Sequence, residues 1–86
     1  MMPHQLTITA ELKHWRLDDE RYNVEGIVHN STSPNYNEGD IIVLLNFKTI
    51  THYPAYLVDP LHIEEHWIVK TQTNKYFILY KSQQQP

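Results

Sequence analysis

The chain has no cysteine, two glycines, and few basic residues for a protein of its size. Without cysteine there is no disulfide framework, no thiolate metal site and no cysteine nucleophile. With only Gly26 and Gly39 there is little from which to build a phosphate-cradling loop, and neither a P-loop nor a dinucleotide-binding glycine turn occurs. A G-x-S-x-G nucleophile elbow is also missing. Seven Lys and Arg against ten Asp and Glu give a net charge of −3, with the basic residues dispersed along the chain. Duplex nucleic-acid binding draws most of its affinity from phosphate neutralisation, and this balance argues against it. The longest apolar run, IIVLL at 41–45, is far too short to span a bilayer. The first fifteen residues lack the basic flank and apolar centre of a signal peptide, so a cytoplasmic protein is expected.

What the chain does contain is aromatic and β-patterned. Its 86 residues make one domain, 1–86, with hydrophobic residues at 41% and charged residues at 20%. Residues 6–12 alternate with Leu6, Ile8, Ala10 and Leu12 on one face, the mark of a strand with one buried side. Trp15 and Leu17 continue the apolar series at odd positions, and the phase change predicts a bulge or bend near Lys13 and His14. Tyr22, Val24, Gly26 and Val28 resume the alternation, with Gly26 marking a bend or a close backbone approach. Residues 30–40 collect Asn, Ser, Thr, Pro and Gly and read as a loop.

The following IIVLLNF is apolar on both faces, as a central strand covered on both sides would be. Pro54 and Pro60 interrupt what comes next, and Asp59-Pro60 is a good opening for one helical turn near 59–66. HWIVKTQ and KYFILYK read as a hairpin with its tight turn at Thr73 and Asn74. The ordered core runs over about 5–81, and the polar tail 82–86 is expected to be disordered. These elements predict a mainly β fold: a small antiparallel five-stranded barrel, SH3-like or OB-like, or a strongly curved sheet, with at most one short helix near 59–66.

The stretch HIEEH at 62–66 matches H-x-x-E-H, in which His62 and His66 would ligate zinc and Glu65 would act as general base. That chemistry needs both histidines one turn apart on a stable helix. Here a proline lies just upstream and a β-type run begins directly after His66. No His, Asp, Glu or Cys follows His66 to complete the ligand set. His62 and His66 are therefore weak metal candidates, no metal or other cofactor is expected, and no residue reads as catalytic. The adjacent carboxylates Asp18 and Asp19, or Glu64 and Glu65, point to different sides of an extended chain and do not form acid/base pairs. The six histidines would carry the net charge from −3 to +3 if all were protonated.

Tyr36, Tyr53 and Tyr56 fall in loop or semi-regular segments, where tyrosine supplies rigid contact area and a polar tip. With the nearby carboxylates they make a candidate partner-binding set: Tyr36, Glu38, Asp40, Tyr53, Tyr56, Glu64 and Glu65. The same tyrosines would alternatively stack single-stranded bases on a barrel face, or simply close the ends of the barrel.

The frame formed by Trp15 and Leu17, by Val24, Gly26 and Val28, by Gly39 and Ile42, and by Thr71, Tyr76 and Ile78 resembles a class of short phage and prophage proteins. Those carry a W-x-L strand, a V-x-G-x-V strand, a G-x-x-I entry and a T-x-x-x-x-Y-x-L hairpin; Ile78 stands here in place of the usual Leu, and 53–66 has no counterpart. The resemblance implies no catalytic residues. It implies a non-enzymatic inhibitor, of the anti-CRISPR or other anti-defence type, that sterically blocks a host protein in the host cytoplasm, for example a nucleic-acid-binding defence complex. A single-stranded nucleic-acid-binding barrel is the alternative, and a metal-binding protein using His62 and His66 the second. A homodimer suits a domain with so little stability of its own.

Overall fold

The computed structural model describes residues 7–58 and 61–86, with the backbone alone for 57, 58, 61 and 62. Eight strands follow in order: β1 (Ile8–Asp18), β2 (Asn23–His29), β3 (Ile41–Leu44), β4 (Thr49–Tyr53), β5 (Tyr56–Val58), β6 (Leu61–Ile63), β7 (His66–Lys70) and β8 (Tyr76–Tyr80). A single 3₁₀ turn, Lys81–Gln83, follows β8. Six strands form one sheet in the order β3-β2-β1-β8-β7-β4, and β5 pairs with β6 as a separate two-stranded ribbon.

The mainly β expectation holds, while its finer form needs correction. The sheet is open, with β3 and β4 at its two edges, so it is not a closed barrel. It has six strands rather than five, and β1 and β8 run parallel, so it is not purely antiparallel. Parallel pairing of the first and last long strands needs the whole intervening chain as its connection, and local patterning carries no trace of it. The helical turn proposed near 59–66 opens at Asp59 and Pro60, which lie outside the described residues. From Leu61 to Ile63, and again from His66, the chain is extended.

The inner face carries the core: Ala10, Leu12 and Trp15 from β1, Val24 and Val28 from β2, Leu44 from β3, Val69 from β7, and Phe77 and Leu79 from β8. Phe47, between the two edge strands, joins them. The phase change at 13–14 is present: the β1–β2 register shifts between Lys13 and Arg16, and His14 adopts a φ of 50°. That bulge lets Trp15 enter the core from an odd position, where Leu12 entered from an even one. Gly26 lies opposite, and a side chain there would meet Leu12, Lys13 and Trp15.

The loop 30–40 returns over the sheet and is fastened by Thr32, whose backbone N–H donates to the Thr9 carbonyl at 2.8 Å. It ends in a bulge in which the Gly39 N–H donates to the Val28 carbonyl and the Val28 N–H donates to the Asp40 carbonyl. Gly39 has a φ of 84°, a left-handed backbone that favours glycine. The β7–β8 hairpin turns through 71–75, with Asn74 at a φ of 63°, as its sequence predicts.

Two further expectations are corrected. IIVLL is an edge rather than a central strand: Ile42 and Leu44 face inward, while Ile41, Val43 and Leu45 are 76%, 51% and 69% exposed. Apolarity on both faces was read as burial on both faces, but the sheet covers only one of them. The polar tail is held against the sheet rather than trailing free. Gln84 bridges to Trp15, the Gln85 N–H donates to the Trp15 carbonyl at 2.9 Å, and the Gln85 side-chain amide donates to the His14 carbonyl at 2.8 Å. The carbonyls exposed at the β1 bulge are thereby satisfied.

Candidate functional site

Side chains alternate across each strand, so register decides which of them meet. Tyr53 of β4 lies opposite His66 of β7, and His66 lies opposite Tyr80 of β8. All three point to the outer face, where they form an aromatic row. The Tyr53 and His66 rings are stacked, 5.1 Å apart and 10° from parallel, and the Tyr80 ring lies 5.7 Å from His66. The His66 Nδ1–H donates to the Glu64 carbonyl at 2.9 Å, which fixes the ring's orientation and leaves Nε2 as acceptor. A shallow groove beside the row is lined by Ile63, Glu64, His66, Ile78, Tyr80 and Ser82. The Ser82 hydroxyl donates to Glu64 at 3.2 Å. Burial, with the charges of Glu11 and Glu64, pushes the Tyr80 phenol above its ordinary value and keeps it protonated as a donor.

One residue back along the strands, a second cluster faces inward. His52 stacks on Trp67 at 5.0 Å, and Trp67 meets Trp15 edge-on at 5.4 Å. The His52 Nε2–H donates to Glu65 at 2.6 Å, and the Lys81 ammonium donates to the other carboxylate oxygen at 3.1 Å. Lys81 first and His52 second hold the Glu65 carboxyl below its ordinary value. The Trp15 indole N–H donates to the Tyr80 carbonyl at 2.8 Å, tying this cluster to the strand that carries the aromatic row.

Tyr53, Glu64 and Glu65 thus converge at one end of the sheet, and Tyr56, 52% exposed, opens β5 just beyond. Tyr53 is a strand residue rather than a loop residue. Tyr36, Glu38 and Asp40 are elsewhere. Tyr36 packs edge-on against Phe77 at 5.2 Å on the inner face, toward the start of β8. Glu38 accepts the Ser31 N–H and pairs with His29, contacts that shape its loop and lower its carboxyl pKa, the Ser31 bond contributing most. Asp40 uses its carbonyl in the bulge and leaves its side chain exposed. The expected set of seven therefore does not form one patch: Tyr53, Glu64 and Glu65 gather near the end of β8, and Tyr36 lies toward its start.

His66 and Tyr80 are the residues that sequence reasoning missed as members of the outer-face row. A tight turn at Thr73 and Asn74 would set His66 opposite Lys81; the turn is instead centred on Thr73, which sets Tyr80 there. His62 and His66 lie on different strands, β6 and β7, so no helix presents them together. Among the described residues, no group of three or more His, Cys, Asp and Glu is arranged to hold a metal ion. Nor is any helix there long and apolar enough to cross a membrane.

No protein-family model, curated protein or solved structure matches this chain.

Proposed function

We propose that the chain is a non-enzymatic protein-binding module that works by occupying a basic surface of a partner. The observation that carries this reading is the half-buried, outward-facing Tyr53–His66–Tyr80 row with Glu64 at its border. Flat aromatic rings held in register offer a preorganised face on which an arginine guanidinium can stack. A neighbouring carboxylate and a phenol kept protonated supply hydrogen bonds at its rim. Inhibition of a host defence protein, which the phage-protein resemblance implies, is one form such occupancy takes, and it rests on the sequence frame.

The test is capture from nuclease-treated bacterial lysate with the protein tagged at its N-terminus. One protein retained at near-stoichiometric yield, and lost with Tyr53→Ala and His66→Ala, is the expected result. Retention that survives both substitutions removes the row from the interface.

One observation favours a second reading. Lys70 lies 5.8 Å over the Tyr76 ring on the same outer face, an arrangement that also suits stacked, single-stranded bases. Binding of short oligonucleotides that weakens steeply with salt would put this reading first.

A further inference from the structure

The open edge of β3 has a self-complementary form. Gly26 pairs with Ile42 and Val24 with Leu44, in phase with the hydrogen-bonded pair of Val28 and Asp40. Alternation along the ladder therefore directs the N–H and C=O groups of Ile41, Val43 and Leu45 away from β2, toward a side on which no described strand pairs with them. Their side chains are the exposed ones, at 76%, 51% and 69%. The segment is bracketed by two left-handed residues, Gly39 at a φ of 84° and Asn46 at 52°, which end extended pairing on either side. Between them there is neither lysine nor proline, the usual devices by which an edge strand repels another. A shallow groove lies beside this strand, lined by Val43, Leu44 and Leu45 and by Thr71, Gln72 and Thr73 of the β7–β8 turn, and the Gln72 side-chain amide donates to the Asn46 carbonyl just past the strand's end.

We infer that two copies of this chain pair antiparallel through β3, about a two-fold axis at Val43. In that register Val43 faces its own mate, and Ile41 faces Leu45 of the other copy on both sides of the axis. All the outward backbone groups are then used, in about six hydrogen bonds, and the three exposed apolar side chains of each copy line one face of the seam. Ile27, the β2 neighbour of Ile41, extends the apolar strip on the same face. Charge selects this arrangement over its rivals. Asp40 falls opposite Asn46, whereas an in-register parallel pairing would set Asp40 beside Asp40 and cost repulsion.

The other edge, β4, is a poorer candidate. It exposes Thr49 and Thr51 on that face and runs into Pro54. Because β4 carries Tyr53, pairing at β3 leaves the aromatic row of each copy at the far edge of the combined sheet. The dimer therefore stands or falls independently of the partner-binding reading.

Sedimentation equilibrium over a wide concentration range tests the inference. The expected mass rises from 10.3 kDa toward twice that value as concentration increases. Val43→Lys sets two ammonium groups face to face and is expected to hold the protein at monomer mass, with the urea midpoint that wild type shows when diluted to monomer, because Val43 is half exposed. A cysteine pair tests the register without relying on that variant. Val43→Cys places its two sulfurs on Cα atoms about 5.5 Å apart, within disulfide reach, and should cross-link on oxidation. Ile41→Cys leaves them about 13 Å apart and should not. A wild type that stays monomeric throughout, a dimer that survives Val43→Lys, or a dimer that cross-links through position 41 rather than 43 overturns the inference.

Discussion

A Cβ placed on Gly26 would stand 2.9 Å from the Leu12 Cβ, closer than two such carbons pack. The Lys13 carbonyl oxygen, at 3.1 Å, and the Trp15 Cβ, at 3.3 Å, close the other sides. All three neighbours belong to β1 at its bulge, and two of them start fully buried core side chains. Moving them means moving the backbone that swings Trp15 into the core. Gly26→Ala is therefore expected to cost about 1–3 kcal/mol, as overpacking of a tight core does. A urea midpoint equal to wild type would show that the bulge yields freely.

Gly39 is constrained for a different reason, and the contrast is testable. Nothing lies within 4 Å of a Cβ there, but its φ of 84° is a conformation that L residues adopt at a cost. Gly39→Ala should lose about 1 kcal/mol, and Gly39→Asn less, since asparagine tolerates left-handed backbone. Were sterics the cause, the larger asparagine would be the worse replacement.

The Glu65 carboxyl, held by Lys81 and His52, makes stability depend on acidity. Its folded pKa lies below the ordinary 4.5, so the unfolded chain binds the proton more readily. Its contribution is complete above that ordinary value and is lost as pH falls through the lowered one. Denaturation followed from pH 6 downward should show a loss of stability beginning near 4.5. Glu65→Gln should flatten that slope while Glu64→Gln leaves it in place. Equal slopes in wild type and Glu65→Gln would place the acid sensitivity elsewhere, Glu38 being the other lowered carboxyl among the described residues.

Local patterning made several parts of the fold legible. The shift of apolar phase between Leu12 and Trp15 announced the bulge, the glycine among alternating residues announced a close approach, and the KYFILYK hairpin followed from its turn. Pairings between distant segments were not legible. Nothing in 8–11 or 76–78 says that these strands run side by side in parallel, and without that pairing the strand order and the open edges stay hidden. Ile41 to Leu45 were misplaced for that reason, since a hydrophobic strand reads alike in the middle of a sheet and at its edge. The candidate site was half legible. Tyr53 and Glu64 were named from composition, but their companions His66 and Tyr80 depend on register across three strands.

The C-terminal residues give the sharpest departure from their composition. SQQQP has no apolar side chain to bury, and on composition alone it is disposable. Yet Gln85 donates twice into β1 at its bulge, to the carbonyls of His14 and Trp15. Gln84 bridges to Trp15 alongside. Removing 84–86 would return both carbonyls to water, one of them the carbonyl of the buried Trp15. The expected loss is about 1–2 kcal/mol, the net worth of two hydrogen bonds that replace solvation. Tryptophan fluorescence during urea unfolding reads it, since Trp15 and Trp67 are the only two tryptophans and meet edge-on, Trp15 in the core and Trp67 against it. In the intact chain the Gln85 amide should exchange slowly with deuterium, as its hydrogen bond to β1 requires. Rapid exchange at Gln85 together with an unchanged midpoint on truncation would mean that the tail merely rests on the sheet.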